Sequence, residues 1–197
     1  MIPDAERSNR EFARISFSGN ERNHLFLQGP GNFLDASDVS GADALADTRS
    51  VVIWDPERDG WPDLALINAN TPKVTLLRNT LGASRAPRVI AIRLRGGNET
   101  PSPAPGRSPR DPCGALLTVV TGDGELLREY SCGTGLAAQN SATILVGLGD
   151  AAGPVAVRVR WPSGATQQVD GVAPGTLLTV EEGGAVGRSG YFVERGG

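Results

Sequence analysis

Residues 113–132 read CGALLTVVTGDGELLREYSC. Ala115–Val120 and Glu125–Tyr130 are apolar-rich runs. Gly122-Asp123-Gly124 between them is hairpin chemistry, because glycine enters the positive-φ region that tight turns use. With Gly122 and Asp123 as a two-residue turn, Thr121 faces Gly124. Counting back along both strands sets Cys113 opposite Cys132, the only two cysteines of the chain. Facing residues in an antiparallel pair have Cα atoms about 4.5–5.5 Å apart, which a disulfide tolerates. The register therefore predicts a Cys113–Cys132 disulfide. A three-residue turn or a bulge would shift the register by one and leave two free thiols on opposite faces.

The same pattern extends outward from the hairpin. Short apolar runs at Thr143–Val146, Val155–Trp161, Thr166–Val169 and Leu177–Glu181 alternate with turns such as Pro162-Ser163-Gly164 and Pro174-Gly175. Upstream, Val89–Arg95 alternates apolar and polar residues as a half-buried strand does. Between it and the hairpin, Gly96–Pro112 is Pro-rich and reads as an extended, mobile surface loop. Many short strands with Gly/Pro turns give an all-β fold, here a β-sandwich or barrel. Downstream, 183–197 is Gly-rich and reads as a frayed tail, with Tyr191-Phe192-Val193 as a segment able to dock.

Composition agrees. The 197 residues include 26 Gly and 14 Pro, which disfavours long helices. Nineteen basic against 22 acidic residues leave a net charge of −3, so no nucleic-acid or anionic-membrane partner is expected. His24 is the only histidine, which excludes a two-histidine zinc site within one chain and limits a Ser-His-Asp triad to that residue. No run is long and apolar enough for a membrane span, and Met1–Arg10 shows no signal peptide.

The first part of the chain holds strands at Asn23–Leu27, Ser50–Trp54, Leu64–Ile67 and Lys73–Arg78, spaced as in one β-propeller blade. Two of them flank Asp55-Pro56-Glu57-Arg58-Asp59-Gly60-Trp61-Pro62-Asp63, which reads D-x-E-x-D-G-x-x-D. Oxygens at positions 1, 3 and 5, a glycine at 6, an inward carbonyl at 7 and a carboxylate at 9 suit one Ca²⁺. The expected metal ligands are Asp55, Glu57, Asp59, the Trp61 carbonyl and Asp63. Position 12 is Leu66 and the flanks are strands, so this is a strand–loop–strand site rather than an EF-hand. A solvated acidic turn is the alternative.

On these residues, with Leu64–Asn68 and the closing Leu77-Arg78-Asn79, Phe33–Asn79 resembles an FG-GAP/VCBS repeat, the calcium-loop blade of integrin-type propellers. Farther on, Val89–Arg95, Gly114-Ala115, Gly133-Thr134-Gly135, Gln139-Asn140, Gly147-Leu148-Gly149 and Trp161-Pro162-Ser163-Gly164 together resemble an ASPIC/UnbV domain over Pro87–Glu182. Its loop Gly96–Pro112 is longer than the family pattern, and Leu136-Ala137-Ala138 replaces a usual aromatic-Leu-Ser. The resulting organisation is an N-terminal tail or edge strand (1–22), a blade-like repeat (23–84), a β-sandwich-like ASPIC/UnbV domain (87–182) and a tail (183–197).

The resemblance carries no catalytic set, so no catalytic or organic-cofactor residue is expected. GLG and WPSG read as turn motifs, with Trp161 as an apolar anchor. His24 reads as a core or edge histidine. Asn98-Glu99-Thr100 is a glycosylation sequon. Trp54 and Trp61 read as inter-blade packing or an aromatic platform. The function expected is a calcium-binding, non-catalytic β module that contacts protein or matrix, or the remaining propeller blades of another chain. The alternative is an accessory factor of an enediyne-type polyketide pathway that binds a small molecule. A disulfide argues for an extracellular or periplasmic location, against a cytoplasmic alternative.

Overall fold

The structure, a computed structural model, describes residues 21–29, 31–83, 87–100, 104–151 and 153–193. The tail or edge strand expected over 1–22 lies outside the described residues except for 21 and 22. The chain is almost all β and divides into two compact units. The first takes in residues to Ile53, Asp63–Arg78 and Gly135–Ala138; the second takes in Trp54–Pro62, Asn79–Thr134 and Gln139–Gly197.

In the first unit β1 (Phe26–Gln28) and β2 (Phe33–Asp35) form a hairpin with Leu27 opposite Leu34. One turn of helix follows, α1 (Ser37–Ser40), ended by Gly41 in the left-handed region at φ 71°. The stretch expected to be all loop from Ser37 to Arg49 thus holds this helix and the start of β3 (Thr48–Trp54). β3 is followed by β4 (Asp63–Asn68) and β5 (Val74–Leu77), in a three-stranded sheet of order β3-β4-β5. Asn68 is buried where the strands meet. Its Nδ2 donates to Pro72 O at 2.7 Å and to Thr75 Oγ1 at 3.2 Å, and its Oδ1 accepts from the Thr48 hydroxyl at 2.8 Å. Thr48 Oγ1 in turn accepts from Asn23 Nδ2 at 2.9 Å.

The second unit is a sandwich of two four-stranded sheets. β6 (Val89–Arg95), β9 (Ile144–Gly147), β12 (Thr176–Glu181) and β13 (Val186–Gly190) are ordered β13-β12-β6-β9. β7 (Leu116–Thr121), β8 (Gly124–Glu129), β10 (Val155–Arg160) and β11 (Thr166–Val172) are ordered β11-β10-β7-β8. Alternate residues point to one face of a strand, so Ile90, Ile92 and Leu94 of β6 join Leu178 and Val180 of β12. They pack on Leu117, Val119, Val157, Val159 and Val172 of the other sheet. β6 was expected to be half-buried, but its first half is buried on both faces: Val89 and Ala91 pack with Leu177 and Tyr191 in a second cluster. β13 falls where a frayed tail was expected. Its Gly-rich sequence shows no strand pattern because the strand is made by its ladder to β12, Thr176 opposite Gly190 through Val180 opposite Val186.

The hairpin register is the expected one, with Thr121 opposite Gly124 and Leu116 opposite Glu129. Cys113 and Cys132 are disulfide-bonded, Cα atoms 5.5 Å apart. Elsewhere β11 carries a bulge, since Val155 pairs with Val172 but Val157 pairs with Val169. Gly171, at φ 66°, supplies the left-handed residue such a bulge uses. The Arg188 guanidinium reaches across from β13 to the carbonyls of Gly171 (2.9 Å) and Asp170 (2.7 Å).

Candidate functional site

The acidic loop is wound around Asp55. Asp55 Oδ1 accepts from the Asp59 amide at 3.1 Å, and Oδ2 accepts from the Gly60 amide at 2.8 Å. Asp59 Oδ1 accepts from the Trp61 amide at 2.9 Å. Gly60 turns at φ 83° and is buried; a Cβ there would stand 2.8 Å from the Pro87 ring and 3.0 Å from Phe192 Cε1. Only glycine meets both demands. The Tyr191 hydroxyl donates to Asp55 Oδ2 at 3.0 Å. Burial pushes the Tyr191 phenol well above its ordinary value, and the Asp55 carboxylate beside it pushes further. The segment Tyr191-Phe192 therefore docks against the loop, and the loop belongs to the second unit.

Asp55, Asp59 and the Trp61 main chain are brought together in this turn. Glu57 is exposed, and Asp63 stands at the start of β4 in the first unit. Among the described residues no three His, Cys, Asp or Glu side chains are grouped so as to hold a metal ion. A carboxylate offers about four acceptor positions, and Asp59, Gly60 and Tyr191 use three of those on Asp55. Among the described residues no fourth group donates to Asp55.

A second carboxylate, which the sequence did not single out, organises the Pro-rich loop. Glu182 Oε2 accepts from the amides of Gly97 (2.8 Å) and Ser108 (2.7 Å), and Oε1 accepts from the hydroxyls of Ser108 (2.8 Å) and Ser163. Burial pushes the Glu182 carboxyl up, but the bonds from Ser163, Gly97 and Ser108 outweigh it and leave the group below its ordinary value. The serine of WPSG is thus a clamp on this carboxylate, while Trp161, 2% exposed, anchors the turn in the core. Gly147-Leu148-Gly149 likewise sends Leu148 into the core.

Asn98 of the sequon donates through Nδ2 to Ala104 O (3.3 Å) and Arg107 O (2.8 Å), and its Oδ1 accepts from the Ala104 amide (2.7 Å). The nitrogen a glycan would take is the one that shapes the loop. Trp54 is exposed at the end of β3, and Trp61 is half-buried against Gly82.

His24 is exposed and precedes β1, so it is not a core histidine. Its Nδ1 lies 3.3 Å from Asp35 Oδ2, and Asp35 Oδ1 accepts from the Ser37 hydroxyl and amide. Those Ser37 bonds, the hydroxyl first, hold the Asp35 carboxyl below its ordinary value. The carboxylate stands between serine and histidine, which is not the order in which a histidine activates a serine.

Residues 105–187 match the family described as ASPIC and UnbV. No curated protein matches the chain. The ASPIC and UnbV match takes in the disulfide, the WPSG turn, Glu182 and every strand from β7 through β12. It leaves outside β6 and the Asp55–Tyr191 contact. No helix of the described residues is long and apolar enough to cross a membrane.

Proposed function

We propose that this chain is a non-catalytic β module of an oxidising, extracellular or periplasmic compartment that docks on other protein or matrix. The observation that carries the reading is the sheet of the first unit. Ile67 is paired with Val74 and Ala65 with Leu76, so these side chains share one face. Ile67 (41%), Val74 (52%) and Leu76 (67%) are all exposed on it. Val51 and Ile53 on β3 are exposed as well. Monomeric surfaces seldom leave clustered large apolar groups open to water unless something covers them. A further β-sheet, as in the next blade of an FG-GAP/VCBS propeller, suits a flat apolar face. The exposed Cys113–Cys132 bond supports the compartment.

Sedimentation velocity tests the docking. Concentration-dependent association is expected, and the pair Val74→Lys with Leu76→Lys abolishes it. A monodisperse monomer at every concentration counts against the reading.

Calcium belongs to the same reading. The D-x-E-x-D-G pattern and the gathering of Asp55, Asp59 and the Trp61 main chain in one turn support one Ca²⁺ held by Asp55, Glu57, Asp59, the Trp61 carbonyl and Asp63. Binding has to draw further carboxylates toward Asp55, so affinity is modest, about 10⁻⁴–10⁻³ M. Calcium that binds only the folded state raises Tm. A melting curve indifferent to millimolar Ca²⁺ and to chelator removes the metal from the reading.

A further inference from the structure

The outer face of the sheet β11-β10-β7-β8 is sorted by charge. Its ladders set the side chains in three rows. Arg160 stands opposite Leu116 and Leu116 opposite Glu129; Arg158 opposite Thr118 and Thr118 opposite Leu127; Ala156 opposite Val120 and Val120 opposite Glu125. Alternation sends Leu117, Val119, Val157 and Val159 into the core, so these rows point outward. On this face β10 carries only basic charge, β8 carries only acidic charge, and β7 between them carries none.

Opposite charges stabilise a sheet when they sit directly across neighbouring strands. Here an uncharged strand holds them about 10 Å apart, backbone to backbone. Within the chain most of the attraction is unused. Arg158 and Glu125 come no closer than 3.7 Å, on a diagonal across β7. Among the described residues Glu129 and Arg160 have no ion-pair partner, and both are exposed. Between the two acids Leu127 is 61% exposed.

We propose that this face pairs with the same face of a second copy of the chain, about a two-fold axis along β7. Such an axis keeps each row level with itself and exchanges the flanks, so β8 of one copy lies over β10 of the other. Glu129 then faces Arg160 of the second copy, and the symmetry repeats the contact. The aliphatic stem of Arg158 of the second copy covers Leu127. Leu116 and Val120 meet their own copies on the axis. A two-fold across the strands would set acid on acid and base on base, so charge selects the first axis. That axis also keeps the strands of the two sheets aligned, as face-to-face packing favours. Three strands over five residues cover well under the roughly 800 Å² per partner of a standard interface, so the pair is a weak one. It uses neither the exposed sheet face of the first unit nor the acidic loop.

The test is a dilution series of the full ¹⁵N-labelled chain carrying Val74→Lys with Leu76→Lys, which silences the first unit's face. Protein runs from micromolar, where sedimentation reads the first unit's association, to near millimolar. Amide signals of β7, β8 and β10 should shift with concentration on one saturable curve, while those of β6 and β12 hold still. Glu129→Arg and Arg160→Glu should each weaken the association at least roughly tenfold, because like charges then face each other twice. Both reversals in one chain should restore it. So should a mixture of labelled Glu129→Arg chain with unlabelled Arg160→Glu chain, since opposite charges then meet at both contacts. If a reversal does not fold, Glu129→Gln should weaken the association by a smaller factor. Signals that do not move with concentration overturn the proposal. Charge changes without effect, or a mixture no stronger than either chain alone, also overturn it, for the charges would then not meet across a two-fold. Because the first unit's face is silenced throughout, no outcome here reports on its docking.

Discussion

In the second unit Ile90, Ile92, Leu117, Val119, Val157, Val159, Leu178 and Val180 are wholly buried, together with Trp161. In the first unit the buried residues among those described are Ala36, Ser37, Ala42, Asp47, Leu66 and Asn68. Two different interiors result. A fully buried aliphatic side chain stabilises by about 1.5–3 kcal/mol, so the sandwich draws on many such contributions. Among its described residues the first unit has one buried aliphatic side chain of that size, Leu66, and the chain of bonds Asn23–Thr48–Asn68–Thr75. Its large apolar groups sit on the outside, at Phe26, Phe33, Val74 and Leu76. Among the described residues, the first unit thus buries polar groups and exposes apolar ones, the reverse of the sandwich. The contrast therefore bears directly on the docking reading.

The largest effect that would sharpen this contrast is Trp161→Ala. Removing the anchor of a dry core should cost about 3–5 kcal/mol and be read as an earlier urea transition of the sandwich. Loss of less than a third of that would mean the two interiors are not so different. Next is the disulfide. Opening a loop of 19 residues should cost about 3 kcal/mol in the chain-entropy model. Cys113→Ser with Cys132→Ser should lower the Tm of the second unit, and thiol titration of the unreduced, denatured wild type should find no free thiol. Asn68→Ala comes third. It strands the Thr48 and Thr75 hydroxyls and the Pro72 carbonyl, at about 1–3 kcal/mol. Amide exchange should rise across β3–β5 and stay unchanged in β6–β13; a rise spread evenly over both groups of strands would break the comparison.

The smallest effect is acid dependence at Glu182. Its folded-state value lies below the ordinary one, so its charged form stabilises the fold. That contribution is whole above the unfolded value of about 4.3 and is lost as pH falls through the folded value. Exchange at the Gly97 and Ser108 amides should therefore accelerate in acid before the core strands respond. Glu182→Gln should make those two amides fast at neutral pH and remove their pH dependence.

Much of the sandwich was legible because its strands carry their own signals. β6 has the bounds expected for it, and the Gly-Asp turn dictated a register that put Cys113 against Cys132. Local chemistry was enough in both places. β13 was not legible, because Val186-Gly187-Arg188-Ser189-Gly190 has no period and is a strand only by pairing with β12. The double burial of Val89 and Ala91 depends on Leu177 and Tyr191, far away in sequence, and alternation at Arg93 and Arg95 does not report it. For the acidic loop, spacing showed the turn around Asp55 but not the phenol that caps it.

The position of β6 bears on how this domain can be inherited. In its sheet β6 is the sole link between β12 and β9, and it precedes the span that matches ASPIC and UnbV. Tyr191 closes the opposite edge of the same cluster from beyond that span. Recombination at the borders of the recognisable segment would transmit six whole strands, without β6 and with β13 cut short. The heritable module is wider than its signature, and a crossover that keeps it working has to fall upstream of Pro87 and downstream of Phe192.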